Sequence, residues 1–159
     1  MAYYDGLANG YNALHEKEQL NKLFIITSQI TFDKNDAVLD VGCGTGLAKN
    51  FFNCTYVGLD LSRGMLSQFI GNRIQGSAAM LPFKNKSFDV VLSLTSIHNV
   101  NDVKAALLEM SRVSKHTIII SVLKKSKNFK QITELIEKIF KVEKIVDEDI
   151  DKIYFLTKQ

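Results

Sequence analysis

The sequence predicts an α/β fold built on a mostly parallel sheet. Three observations predict it. Short runs of Val, Ile and Leu alternate with apolar stripes at helical spacing. The runs are continuous rather than alternating, which suits strands covered by helices on both faces. The 159 residues, 46% hydrophobic and 23% charged, suit a single domain with a real core.

The elements follow in order. Leu14 to about Ile30 reads as an N-terminal helix. Ala37–Val41 (AVLDV) is the first strand and ends at a glycine cluster, after which a helix is expected near Leu47. Tyr56–Leu61 is the second strand, and Ser62 is placed to cap a helix starting at Arg63. Asn72–Ser77 is a weak third strand, Phe88–Leu94 (FDVVLSL) a fourth and His116–Leu123 (HTIIISVL) a fifth. Val142–Val146 and Ile153–Thr157 read as a sixth and a seventh. Val103, Ala106, Leu107, Met110 and Val113 form one helical stripe. Phe129, Ile132, Leu135, Ile136, Ile139 and Phe140 form another. No repeat, low-complexity tract or linker interrupts this pattern. Residues 1–34 form a helical segment, 35–123 a core, and 124–159 a helix and two strands.

Composition excludes several classes. A net charge of +3 is too small to mark a nucleic-acid binder by itself. Uncharged runs such as Leu23 to Phe32 are far too short to span a bilayer. The first residues have neither a basic start nor an apolar stretch, so no secretory signal is expected. Cys43 and Cys54 make neither a disulfide framework nor a zinc spacing. A reducing cytoplasm and no metal are the expectation.

The informative segment is Val38-Leu39-Asp40-Val41-Gly42-Cys43-Gly44-Thr45-Gly46. Glycines there let the backbone approach a ligand closely and take positive φ. A helix start behind them would offer free N–H groups, so an anionic or strongly polar ligand belongs at this turn. The dinucleotide fingerprint needs a later third glycine, and Leu47 occupies that place, which speaks against NAD. Asp60 ends the second strand, where a carboxylate can accept both hydroxyls of a ribose. The plainer reading of Asp60 is a helix-capping acid before Ser62.

VLDVGCGTG, GLDLS, LPFKNKSFDVVLS and SIHNV, in this order over roughly residues 37–123, resemble the class I S-adenosylmethionine (SAM) methyltransferases. The resemblance is to the methyltransferase type 11 group, which includes the ubiquinone- and menaquinone-biosynthesis enzymes. It implies a Rossmann-like seven-stranded sheet with the last strand antiparallel, and SAM across the ends of the first strands. It implies that Gly42, Gly44 and Gly46 approach the methionine part of SAM. Asp40 would orient that loop or the amino group. Asp60 would take the ribose, Leu61 the adenine face, and Ser77 and Ala78 the adenine edge. The backbone at Ser93 and Leu94 would face the amino group. Tyr4 and Tyr11 lie in the segment that often closes over SAM in relatives. Ser77 departs from the family, which usually has an acid there; a hydroxyl accepts more weakly than a carboxylate.

Other residues read more plainly. Asp89 enters the fourth strand, away from the ligand-binding end, and reads as structural. Cys43 reads as a small loop-filling residue. His98 follows the fourth strand and is the one candidate for taking a proton from the acceptor; the favoured reading is a loop histidine that shapes the pocket. Lys124 to Lys130 is a basic run that reads as a solvated loop. The predicted elements use nearly the whole chain and leave no insertion for a substrate-binding domain. The expectation is therefore a macromolecular substrate, RNA or a translation-related protein. The N-terminal stretch also resembles small methyltransferases that work with a zinc-binding activator protein, so such a partner is expected too. A small-molecule methyltransferase and a SAM-binding subunit without activity are the alternatives.

Overall fold

The computed structural model describes the backbone from residue 2 and side chains from residue 15 onward. Seven strands form one sheet: β1 (Ala37–Val41), β2 (Thr55–Asp60), β3 (Asn72–Gln75), β4 (Phe88–Leu94), β5 (Ser114–Leu123), β6 (Phe140–Asp147) and β7 (Asp151–Lys158). Their order is β3-β2-β1-β4-β5-β7-β6. Strands β1 to β5 pair in parallel. Strand β7 inserts antiparallel between β5 and β6. The mostly parallel sheet with an antiparallel last strand is as expected.

Four helices flank the sheet: α1 (Ala2–Gln29), α2 (Arg63–Leu66), α3 (Val103–Val113) and α4 (Phe129–Ile139). The apolar stripes explain why α3 and α4 pack where they do. Ala106, Leu107, Met110, Val113, Ile132 and Ile136 are buried together against Leu39, Val91, Ile118 and Ile120 on one face. Each such aliphatic side chain contributes roughly 1.5–3 kcal/mol on burial. Leu23 and Ile26 of α1 cover the other face, over Val38, Leu92, Ile119 and Ile153. The caps are local. The Asp102 side chain accepts from Ala105 N–H at 2.9 Å to start α3, and Ser62 Oγ accepts from Met65 N–H at 3.2 Å to start α2.

Two elements differ from expectation. The helix near Leu47 is only a 3-10 turn, Leu47–Phe51. The next strand already starts at Thr55, so too few residues remain for a longer helix. The N-terminal helix begins at Ala2, earlier than its apolar pattern indicates. At the amino end of β4, Asp89 accepts the Ala37 N–H at 2.9 Å and pairs with Lys115 at 3.0 Å. The Ala37 hydrogen bond and Lys115 hold its carboxyl below the usual range, a structural role for this acid.

Candidate functional site

Because β1 to β5 run parallel, Val41, Asp60, Gln75, Leu94 and Leu123 end on one edge of the sheet. The chain runs outward from β1 to β3 in one direction and from β4 to β5 in the other. The crevice between β1 and β4 is therefore a switch point, where open α/β sheets bind ligands.

The loop after β1 is held by its neighbour. Gly42 and Cys43 N–H groups donate to the Leu59 carbonyl at 2.7 and 3.1 Å. Asp60 Oδ2 accepts from Gly44 N–H and Oδ1 from Ser62 N–H, both at 2.8 Å. One carboxylate thus ties the glycine loop to the start of α2 and keeps lone pairs for a further donor. Gly42 has φ of 80°, and a Cβ there would lie 1.8 Å from Ser96 Oγ. At Gly46, with φ of 81°, it would lie 2.4 Å from the Phe69 ring. Gly42→Ala is expected to destabilise the fold by about 2–4 kcal/mol, the left-handed backbone and the overpacking together. Denaturant unfolding checks this; a loss below about 0.5 kcal/mol would show that the loop gives way freely.

Two cavities meet at this loop. The larger, about 390 Å³, runs from Asp60, Leu61 and Ser77 past Gly42 and Gly44 to Thr95, Ser96 and Asn99. Its ionisable lining residues are Asp60 and Asp102, both acids. The smaller, about 40 Å³, lies between the loop, Asp40 and the α1 residues His15, Glu16 and Gln19.

Asp40 is buried beneath the loop. The Tyr56 hydroxyl donates to its Oδ2, and its Oδ1 has no hydrogen-bond partner among the described residues. Burial pushes the carboxyl up to about 7; the Tyr56 hydrogen bond opposes this and the charge of Asp60 adds to it. The folded protein therefore holds a proton that the unfolded chain releases near its ordinary value of 3.8. Stability should fall as pH rises from about 4 to about 7. Asp40→Asn is expected to flatten that slope. Unfolding curves across this range check it, and an unchanged slope would assign the proton elsewhere.

The structure brings Gly42, Gly44, Asp60, Leu61, Ser77 and Ala78 onto the larger cavity and Asp40 onto the smaller. Ser77 Oγ accepts from Ala79 N–H at 3.2 Å. Gly46, Ser93 and His98 line neither cavity. Ser93 is buried, with an unpartnered Oγ among the described atoms. His98 is half-buried on the turn after β4, its Nδ1 unpartnered and its carbonyl accepting from Asn128 at 3.3 Å. Burial first, and Lys22 after it, hold its imidazole below the ordinary value against the pull of Asp151, so it is neutral near pH 7. Burial pushes the Cys43 thiol well above its usual range, which leaves no nucleophile there. Tyr4 and Tyr11 lie outside the residues whose side chains are described. Sequence reasoning did not single out Met65 or Thr95 on the larger cavity, and it gave Ser96 and Asn99 only within the SIHNV segment.

The family described as "Methyltransferase domain" matches residues 39–120, more than half the chain. The chain belongs to the class I SAM-dependent methyltransferases. A relative in Methanocaldococcus jannaschii, an uncharacterized protein, is 37% identical over 118 residues, which are 71% of this chain and 46% of the relative. The demethylmenaquinone methyltransferase of Renibacterium salmoninarum is 42% identical over 88 residues, 49% of this chain and 36% of that enzyme. The chain thus spans less than half the length of these curated relatives. Among solved structures, the putative methyltransferase of Haloferax volcanii, in complex with the Trm112 methyltransferase activator, superposes with a TM-score of 0.81. That match is 17% identical and covers 98% of this chain and 96% of that one.

SAM is the cofactor of this methyltransferase, and the site fits it. The larger cavity has room for a nucleoside, and its two acids, with no cation among the described lining residues, suit a positively charged ligand. The buried Oδ1 of Asp40, without a partner among the described residues, suits a polar group of the ligand beside the loop. When bound, SAM supplies a methyl group on a positively charged sulfur, an intrinsic electrophile. A methyltransferase of this class has then to bind it, align an acceptor with it and exclude water.

Proposed function

We propose that this methyltransferase acts in the cytoplasm on a macromolecule, RNA or a translation-related protein, with a zinc-binding activator protein as partner. The observation that carries the partner is the free edge of the sheet. Strand β3 is outermost, so its outer backbone groups have no strand to pair with. Ile70, two residues before β3, is 85% exposed, and Met80, five residues after it, 78%. A bare strand edge framed by apolar side chains suits an added strand from another protein. The likeness to a Haloferax volcanii chain solved with an activator supports the same reading.

In this reading Asp60 takes the ribose hydroxyls, Leu61 the adenine face, and Ser77 and Ala78 its edge. Gly42, Gly44 and Gly46 make room for the methionyl end, with Asp40 and the Ser93 backbone behind it and Tyr11 closing over. The acceptor enters beside Thr95, Ser96 and Asn99, a stretch of the wall with no charged side chain. His98 lines neither cavity, which supports a reaction driven by alignment of the acceptor rather than by proton transfer to His98. The connection from Leu123 to Asn128 is short, so that connection itself supplies no lid over the mouth. Two lysines of the basic run already face acids. Lys124 pairs with Asp147 and Lys130 lies 3.9 Å from Glu134.

The test uses purified protein, methyl-labelled SAM and an extract of the source cells, with and without a co-purified activator. Label in material destroyed by nuclease or by protease supports a macromolecular acceptor and says which one. Label confined to small molecules overturns it, and a quinone-like metabolite becomes the acceptor to examine. Label transfer by the isolated chain at full rate overturns the need for an activator.

A further inference from the structure

Two non-glycine residues among those described have a positive φ: Lys86 at 53°, in an exposed turn, and Thr95 at 51°. Thr95 follows β4 directly and lines the larger cavity. A β-branched side chain in the left-handed region is strained, and the strain persists only where the surroundings fix it. The surroundings here are specific. Thr95 N–H donates to Ser121 Oγ at 2.8 Å, and Thr95 Oγ1 donates to Asp151 Oδ2 at 2.8 Å. Lys22 Nζ donates to both Thr95 Oγ1 and Asp151. Lys22 and Asp151 are 1% and 0% exposed. The cluster joins α1, the end of β4, β5 and the first residue of β7. Immediately beyond it, Ser96 packs on Gly42.

We propose that the buried Lys22–Asp151 pair is a positioning device for the acceptor side of the site. It holds Thr95 in its turn, which sets the course of residues 96–99 along the cavity. It also ties that course to the seating of α1, whose His15, Glu16 and Gln19 face the glycine loop across the smaller cavity. A buried ion pair adds little stability over apolar residues of similar volume, but it accepts few alternative arrangements. α1 and the acceptor segment therefore order together. This inference does not rest on which acceptor or partner the enzyme uses.

The test is amide hydrogen exchange of the whole chain, free and with S-adenosylhomocysteine, on three variants. Thr95→Val keeps the shape and removes the hydroxyl. It is expected to speed exchange about tenfold both in residues 94–100 and in α1 residues 15–29. Thr95→Ser keeps the hydroxyl and is expected to recover most of that protection, as well as the methyl transfer to extract lost in Thr95→Val. A merely space-filling role would give the opposite ranking. Lys22→Met/Asp151→Leu replaces the pair with apolar side chains and should loosen both segments together. It also serves if Thr95→Val does not fold. Faster exchange confined to 94–100, with 15–29 unchanged, overturns the coupling. Unchanged exchange of 94–100 in the double variant overturns the positioning role.

Discussion

Asp60→Ala is expected to weaken SAM binding ten- to a hundredfold, about 1.5–3 kcal/mol, the worth of hydrogen bonds to a charged group. The carboxylate accepts from Gly44 and Ser62 N–H groups, both at 2.8 Å, from a half-buried place on the cavity wall. Alanine removes the proposed ribose acceptor and frees two backbone donors at once. The two effects separate experimentally. Calorimetry with SAM reads the first, and the unfolding midpoint of the ligand-free protein reads the second. An unchanged affinity would remove Asp60 from the ribose and leave it as a loop clamp alone.

Lys22→Met is expected to cost about 3–5 kcal/mol of stability, because it leaves the Asp151 carboxylate buried without its cation. For a chain of this size that is a fall in unfolding midpoint of roughly 6–20 °C. Adding Asp151→Leu should restore most of the loss, since two apolar side chains need no partner. Chemical denaturation of the single and double variants checks the pair. A single-variant loss below about 1 kcal/mol would mean that water reaches the carboxylate.

Much of this was legible from residue order. The loop from Val38 to Gly46 and the acid at Asp60 fall on consecutive strand ends, so period and spacing locate them before any coordinates. The stripes of α3 and α4 are equally local. Lys22 and Asp151 are not. They lie at opposite ends of the chain, each among other charged residues, and nothing nearby marks either as buried. Only the insertion of β7 beside β5 brings Asp151 opposite Leu123, under α1. Thr95 is hidden for a related reason. Threonine favours extended backbone, and the hydrogen bonds that hold it otherwise come from three distant segments. The expected helix near Leu47 failed because glycine loops of this type usually feed a helix, whereas here β2 starts too soon to allow one. His98 had the right residue type in the right place along the chain, but its turn carries it past the cavity wall.

The place of β7 bears on how the chain is made. Its five predecessors in the sheet's parallel block can assemble as they emerge. The edge of β5 that faces away from β4, with Ile118 to Val122 fully buried in the finished fold, must then wait for residues 151–158. Until they arrive, a nascent chain presents a long, uncharged strand edge to its surroundings. Closure therefore follows synthesis of the last strand rather than accompanying it. A ribosome stalled before residue 151 would hold a sheet that is ordered on one side and adhesive on the other.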